Sequence, residues 1–183
     1  MSAANNLVRD FVSRRMIATA LILLAAAAIA TSVAADELKW VTYQSPTGFY
    51  SVEHPGDWRL ERDENILNII PGDKRGAVTI SAYVSKSGKP SRARVEQLIS
   101  SVFRTQRPTS PLLAVTGSGW EGLKQTFIDE SITPHVELQV IVATSADGMV
   151  IITSNEASPR IAERIPVYTR ILRSLTLSTP RLR

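Results

Sequence analysis

Two hydrophobic periodicities that follow each other in the middle of the chain constrain its fold most strongly. Between residues 78 and 84 apolar and polar side chains alternate, which is the period of a half-buried strand. After a Gly-Lys-Pro-Ser break, apolar residues recur along one helical stripe: Val95, Leu98, Ile99, Val102 and Phe103. Ser91 can cap this helix, and Pro108 requires that it end earlier. The pattern predicts a strand followed by an amphipathic helix.

Shorter β-type runs, separated by proline and glycine, surround this strand and helix. Four of them come earlier in the chain, at residues 40–43, 49–54, 58–61 and 66–70. Three more come later, at residues 123–128, 136–142 and 149–153. A hairpin turn at 146–148 joins the last two. The final run is almost continuously apolar, which predicts a central strand covered on both faces.

A second helix is predicted near the C-terminus, and it completes the fold class. Ser158 and Pro159 open this region, and an apolar stripe follows at helical spacing: Ile161, Ile165, Tyr168, Leu172 and Leu175. Pro166 has no amide hydrogen, so we expect a short turn over residues 159–164 and a helix that begins near Pro166. Together the patterns predict one α+β domain over residues 36–183, with an antiparallel sheet of six to eight strands and two main helices.

Residues 1–35 have the organisation of a signal peptide. Arginines come first, an apolar run of 15 residues follows at 16–30, and small residues at 31–35 form an A-x-A-like cleavage site. The apolar run is shorter than the roughly 20 residues of a membrane-spanning helix. Arg14 and Arg15 also resemble part of a twin-arginine signal, so that route and the Sec route both remain open. We expect an exported, periplasmic protein; the alternative is an uncleaved leader that anchors the chain.

Charge and cysteine content argue against several classes of protein. The net charge is +4, but the leader holds three arginines and one aspartate, so the rest of the chain carries only +2. Nucleic-acid binding asks for basic residues concentrated on one face, and this balance gives no support for it. Because the chain has no cysteine, disulfides and lipoprotein attachment are excluded and a closed zinc site is disfavoured. We expect no cofactor and no bound metal.

Residues suited to catalysis are few. The two histidines, His54 and His135, lack the spacing of metal ligands. We expect His54 to face solvent at a strand end, although Glu53 and Asp57 nearby would also suit a weak surface metal site. His135 is expected at the start of a strand. The chain has no G-x-S-x-G nucleophile elbow and its acidic groups lie at strand ends, so we predict no catalytic residue and no enzyme activity.

Two features are candidate binding surfaces. Four positive charges within nine residues surround the start of the central helix: Lys86, Lys89, Arg92 and Arg94. A helix dipole disfavours cations at this end, and such a patch suits an acidic partner or anionic lipid headgroups; a solvated face is the alternative. Trp120, next to Gly119, either anchors a partner or packs over the sheet edge. Trp58 is assigned to the core.

Three local motifs occur in an order that is typical of one known family. The run Phe49-Tyr50-Ser51-Val52-Glu53-His54-Pro55-Gly56-Asp57-Trp58 places a Pro-turn before an anchoring tryptophan. A helix follows a central strand, and Ile171-Leu172-Arg173-Ser174-Leu175 ends the domain. Over nearly all of residues 39–178 the chain resembles the PsbP-like family, which is named for the extrinsic subunit P of photosystem II. The motifs are mostly structural, so they are specific for fold more than for function.

The resemblance implies a PsbP-like α+β fold and a small non-enzymatic protein that binds or stabilises others. Such proteins include photosystem assembly subunits, a Ran-binding nuclear factor and many exported bacterial proteins. We therefore expect an exported, non-catalytic binding or assembly-support protein whose partner is another envelope protein. The alternative is a periplasmic small-molecule-binding accessory or stress protein that uses a groove between sheet and helices. Fold alone does not decide between them.

Overall fold

The computed structural model describes residues 38–85, 87–157 and 161–181. The proposed leader and Lys86 lie outside these residues. Within them, no helix is long and apolar enough to cross a membrane. In chain order the elements are β1 (Trp40–Gln44), β2 (Tyr50–Pro55), β3 (Arg59–Asp63), β4 (Ile66–Ile70), β5 (Ala77–Val84), α1 (Arg92–Val102), β6 (Arg107–Pro108), β7 (Leu113–Gly117), β8 (Trp120–Asp129), β9 (Val136–Ser145), β10 (Gly148–Ala157), α2 (Ile161–Ser174) and β11 (Thr176–Leu177).

Strand β10 lies at the centre of the larger sheet. In the described residues this sheet has eight antiparallel strands, in the order β3-β4-β5-β10-β9-β8-β6 with β7 paired to β8. β10 pairs with β9 along its whole length and with β5 from Gly148 to Asn155. Every second residue of β10 is buried and those between are half-buried. The predicted central strand is confirmed; it is paired on both sides as far as Asn155 and with β9 as far as Ala157.

A smaller three-stranded sheet, in the order β1-β2-β11, accompanies the larger one. The local sequence patterns predict a single sheet, whereas the structure has two. The pairing of β11, the third strand of the smaller sheet, explains why the patterns miss it. β11 follows α2 directly and places Thr176 opposite Ser51 and Leu177 opposite Tyr50. Because these partners are far apart along the chain, no local periodicity indicates the pairing. The predicted class is confirmed: α+β, with antiparallel strands and two helices.

Helix α2 packs on one face of the larger sheet, where it contacts β10, and against β2. The buried apolar residues of α2 and the row of β10 beneath them form one layer: Val167, Tyr168, Ile171, Leu172, Val150 and Ile152. Ile165, which the predicted stripe includes, is instead 51% exposed. Trp58 is also buried, as predicted, and its ring meets that of Tyr168 edge-on at 6.1 Å between centroids. This layer is the main core of the domain.

The predicted start of this helix near Pro166 is wrong. α2 begins at Ile161 and continues through Pro166. The proline ring nitrogen cannot donate the helical hydrogen bond to the carbonyl of Ala162, which normally costs helix stability. Burial of the apolar stripe that follows outweighs this loss, because tertiary packing supplies most of the stability of a short helix.

Helix α1 covers part of the opposite face. Ser91 caps it, as predicted, by accepting a hydrogen bond from the Arg94 amide at 3.3 Å. The helix ends at Val102, before Pro108, which also agrees with the prediction. Its buried residues pack against β8 and β9 in one cluster: Val95, Ile99, Leu123, Phe127, Val140 and Val142. Helix α1 leaves the β5 side of this face less well covered. Tyr83, on that side, therefore keeps 42% of its surface exposed.

We expect Gly76→Ala to destabilise the fold more than Gly88→Ala. Both glycines have a positive φ, 71° and 87°, so alanine costs roughly 1–2 kcal/mol of backbone strain at either position. A Cβ at Gly76 would lie against the Asn155 carbonyl and 2.6 Å from the Glu156 carboxylate, whereas a Cβ at Gly88 meets nothing within 4 Å. The clash adds roughly 1–3 kcal/mol. Urea unfolding followed by circular dichroism measures both losses; equal losses would contradict the packing argument.

Candidate functional site

A groove between the end of β5, the β9–β10 hairpin and the start of α1 is the candidate functional site, which we call the β5–α1 groove. It has a volume of about 490 Å³. The groove forms because α1 packs over β8 and β9 and leaves the end of β5 uncovered. Its described lining consists of Tyr83, Val84, Ser85, Ser87, Gly88, Lys89, Pro90, Arg94, Val95, Leu98, Gly148 and Met149.

Two of the four predicted cations, Lys89 and Arg94, line this groove. The Lys89 Nζ lies 2.6 Å from the Glu121 Oε1 of β8. Arg94 donates to the side-chain oxygen of Gln97 at 3.2 Å, and among the described residues no carboxylate pairs with it. Arg94 therefore gives the groove its uncompensated positive charge.

Of the other two predicted cations, Arg92 does not add to this charge. Arg92 forms an exposed i,i+4 ion pair with Glu96, at 2.8 Å between Nε and Oε1. Lys86 lies outside the described residues. An exposed ion pair such as Arg92–Glu96 contributes at most about 1 kcal/mol to stability. Glu96 and Glu121 place negative charge beside Arg92 and Lys89, although the first turn of α1 holds no acidic residue.

The apolar side chains of the groove are partly exposed to solvent. Tyr83 and Val84 each keep 42% of their surface exposed at the end of β5. Leu98 and Met149 are only partly buried and lie at the margin of the α1 cluster. Exposed aromatic and aliphatic surface beside an unpaired arginine is a combination enriched in protein interfaces. The groove can therefore bind apolar and acidic groups at the same time.

A shallower hollow lies on the other side of the helix start. It has a volume of about 220 Å³ and is walled by β7 and β8 together with Arg92. Pro90 and Val95 line this hollow and the β5–α1 groove alike. The loop before α1 is therefore a ridge between two depressions, and the Lys89–Glu121 pair connects the ridge to β8.

Trp120 is not part of the β5–α1 groove. It is the first residue of β8, paired with Gly117, and is partly buried. Its indole Nε1 donates a hydrogen bond to the carbonyl of Leu175 at 3.0 Å. A Cβ on Gly117 would collide with the indole ring, so the ring packs directly on that strand. Of the two roles considered for Trp120, these contacts favour packing at the sheet edge.

A second cavity, of about 440 Å³, lies between the smaller sheet and the β3–β5 end of the larger one, and we call it the inter-sheet cavity. Its lining consists of Tyr43, Ser45, Pro46, Thr47, Phe49, Tyr50, Arg62, Glu64, Asn65, Ile66, Ala82 and Val84. Burial raises the pKa of Tyr50, Tyr43 adds to the rise and Arg62 opposes it. Tyr50 is therefore a neutral phenol at physiological pH. None of these residues is among the predicted binding residues.

The expectation that His54 faces solvent is wrong. Only 4% of its surface is exposed, because it shares the inward face of β2 with Tyr50 and Val52. Its Nδ1 lies 2.8 Å from the carbonyl oxygen of Pro55. His135 is exposed, one residue before β9 begins, and its Nδ1 lies 3.2 Å from the carbonyl oxygen of Ile132. Each imidazole thus contacts a backbone carbonyl.

A buried acid, Glu156, is a feature that the local sequence patterns did not bring out. It is 1% exposed and accepts a hydrogen bond from the Tyr168 hydroxyl at 3.2 Å. The Nε of Arg164 lies 3.7 Å from the Glu156 carboxylate, and the same guanidinium pairs with Asp73 at 2.6 Å. Burial raises the pKa of Tyr168 and Glu156 adds to the rise, so this phenol stays protonated as a donor.

The Glu156 network joins α2 to β10 and to the β4–β5 turn. The Arg164 guanidinium lies 5.4 Å from the centre of the Trp58 ring, so it is held by an aromatic face and two carboxylates. A buried carboxylate persists only when such partners compensate for its lost hydration. The network extends from the buried Glu156 and Tyr168 to the partly exposed Arg164 and the exposed Asp73, and it ties α2 to the sheet, so we assign it to folding. Its sequence signal is the alternation of β10, which places Glu156 on the same face as Val150 and Ile152.

Solved structures with the same architecture identify the fold. No protein-family model matches the chain, and no curated protein sequence does. The solution structure of CyanoP, the cyanobacterial PsbP of Synechocystis, is similar with a TM-score of 0.58 and 8% identity, covering 77% of this chain and 94% of that one. This similarity confirms the predicted PsbP-like fold.

Three further structures have similar folds. The Ran-binding protein Mog1p of Saccharomyces cerevisiae has a TM-score of 0.51 at 7% identity, covering 78% of this chain and 97% of that one. LpqN of Mycobacterium tuberculosis, which is involved in cell envelope biogenesis, has a TM-score of 0.51 at 14% identity, covering 78% and 92%. The chain spans about half, 48%, of a similar protein from Bacteroides thetaiotaomicron. At these identities the likeness concerns the fold alone.

We expect Trp120→Phe to lower the free energy of unfolding by about 1 kcal/mol, the usual worth of one hydrogen bond. Phenylalanine keeps an aromatic ring but cannot donate to the carbonyl of Leu175. Tyr83→Phe is the matched control, since it alters an exposed aromatic and is expected to change stability by less than about 0.5 kcal/mol. Thermal and urea unfolding measure both. A Trp120→Phe variant as stable as the control would show that this indole does not hold the sheet edge.

Proposed function

We propose that this chain of PsbP-like fold is an exported, non-catalytic binding or assembly-support protein, and that another envelope protein docks on its β5–α1 groove. One observation carries the proposal: the guanidinium of Arg94, which no described carboxylate pairs with, lies in the same groove as Tyr83 and Val84, both partly exposed. Arginine and tyrosine are residue types that dominate binding energy in protein interfaces.

The groove chemistry defines the segment that it accepts. Arg94 favours a carboxylate, because its planar guanidinium can bind both oxygens. Tyr83, Leu98 and Met149 favour an apolar side chain next to that carboxylate. Lys89, already paired with Glu121, contributes at the rim, where exposed charge steers association more than it tightens binding. The partner is thus a protein segment that presents an acidic residue beside a hydrophobic one.

The structural relatives support a binding role in general terms. Mog1p binds Ran, and LpqN is involved in cell envelope biogenesis. Export rests on the organisation of residues 1–35 as a signal peptide, by the Sec or the twin-arginine route. From these two lines of support we place the protein in the periplasm and its partner in the envelope.

The absence of catalytic activity is part of the proposal. The described wall of the β5–α1 groove contains neither a histidine nor a carboxylate. The histidine rings contact backbone carbonyls at His54 and His135, and the buried Glu156 bonds to core residues. Histidine and carboxylate groups are the commonest general acids and bases, and the lysine of the groove, Lys89, is already paired with Glu121. The groove is therefore suited to recognition and not to chemistry.

Site-specific photo-crosslinking tests the docking surface. A photoreactive phenylalanine analogue replaces Tyr83 in the full-length chain, expressed in intact host cells, and the adducts are identified by mass spectrometry. The control carries the same analogue at Ile165, which is 51% exposed on α2. We expect one envelope protein to be crosslinked from position 83 and not from position 165. Equal adducts from both positions, or none from position 83, would contradict docking in the groove.

Charge reversal then tests the role of the arginine with the purified partner. Arg94→Glu is expected to weaken binding by about tenfold or more, since it replaces the attractive charge with a repulsive one. Arg104→Glu is the matched control, because Arg104 is exposed just beyond the opposite end of the same helix. The difference should shrink in high salt, which screens exposed charges. Equal losses for the two variants would attribute the effect to net charge and not to the groove.

A further inference from the structure

The inter-sheet cavity brings together polar groups that the fold itself does not use. The Tyr43 hydroxyl is buried and has no hydrogen bond of normal geometry among the described residues, although it lies close enough to Tyr50 to help raise the pKa of that phenol. Buried polar groups in native proteins nearly always have a partner, so an orphaned hydroxyl at a cavity wall points to a ligand or ordered water there. A phenylalanine ring at position 43 would pack as well as the tyrosine ring does. Packing alone therefore does not explain why this residue is tyrosine.

An arginine also lines this cavity. Arg62 lines the cavity from β3, and no described carboxylate forms an ion pair with it. It is close enough to Tyr50 to act on its pKa. On the same strand, Arg59 is paired with Glu61 at 2.6 Å. The edge strand therefore carries one arginine that is neutralised locally and one that is available to the cavity.

The remaining lining limits what could bind. Phe49, Ile66 and Ala82 give part of the wall an apolar character, and the tyrosine rings add aromatic surface. Glu64 lies at the same cavity and would repel any anion, a dianion more strongly than a monoanion. A volume of about 440 Å³ falls in the range of small-molecule sites. These features favour a single anionic group on an apolar body.

We propose that the inter-sheet cavity binds a small apolar monocarboxylate, with Arg62 as the ion-pairing donor and the Tyr43 hydroxyl as a hydrogen-bond donor. The guanidinium would neutralise the carboxylate, and Tyr43 would gain the acceptor that it lacks. The apolar body would lie against Phe49 and Ile66. This site is separate from the β5–α1 groove, so it holds or fails independently of the proposed protein partner.

Isothermal titration of the full-length chain with three probes of the same shape tests the proposal. Benzoate carries one negative charge, phenyl phosphate carries up to two, and benzamide carries none. We expect saturable binding of benzoate, with benzamide and phenyl phosphate each weaker by about tenfold, the effect of roughly one charge-assisted hydrogen bond. No saturable binding of benzoate, or equal binding of benzoate and benzamide, would overturn the proposal. Tighter binding of phenyl phosphate would overturn the choice of a monocarboxylate.

Three variants locate the site. Arg62→Gln is expected to weaken benzoate binding by about tenfold, whereas Arg59→Gln, on the same strand but already ion-paired, should leave it unchanged. Tyr43→Phe should weaken binding too, while its thermal unfolding midpoint stays the same or rises, because it removes a hydroxyl without a partner. Equal effects of the two arginine variants, or a Tyr43→Phe variant that binds normally, would place any benzoate site elsewhere.

Discussion

Burial of β10 between β5 and β9 is the constraint on which the rest of the structure depends. Its inward row, with Val150 and Ile152 fully buried, lies beneath α2, while Met149 and Ile151 on the other face reach the α1 cluster. Because β10 carries apolar side chains on both faces, their burial places the two helices on opposite faces of the sheet. The ends of β5 and of the β9–β10 hairpin then become the rim where the β5–α1 groove opens.

The binding surfaces arise where this cover is incomplete. Helix α1 is only 11 residues long and packs over β8 and β9, which leaves Tyr83 exposed at the end of β5. Val84, the next residue, points to the opposite face and is exposed as well. Val84 belongs to the lining of the inter-sheet cavity as well, so the two proposed sites flank the end of one strand. They differ in their exposure and chemistry: the groove has open apolar surface beside Arg94, and the cavity has buried phenols beside Arg62.

The C-terminal segment connects the two sheets. The Leu177 amide donates to the carbonyl of Ser118 at 3.1 Å, and Ser178 donates to the carbonyl of Phe49 at 2.9 Å. Trp120 adds its indole bond to Leu175 at the same junction. These contacts give a physical reason for the Ile-Leu-x-Ser-Leu motif at the end of the domain. Its apolar residues are buried, and Ser174 accepts a hydrogen bond from the Glu53 amide of β2 at 2.8 Å.

By itself, the sequence determined the α+β class, the antiparallel strands, the capped start of α1 and the central position of β10. This information is local, since alternation, helical spacing and turn residues involve neighbours only a few positions apart. Only the tertiary structure decided the second sheet, the burial of His54 and Glu156, the partner of the Trp120 indole and which cations are neutralised. Each of these depends on residues brought together from distant parts of the chain. For the same reason Pro166 lies inside a helix: the buried stripe beyond it, and not the local propensity, sets where α2 begins.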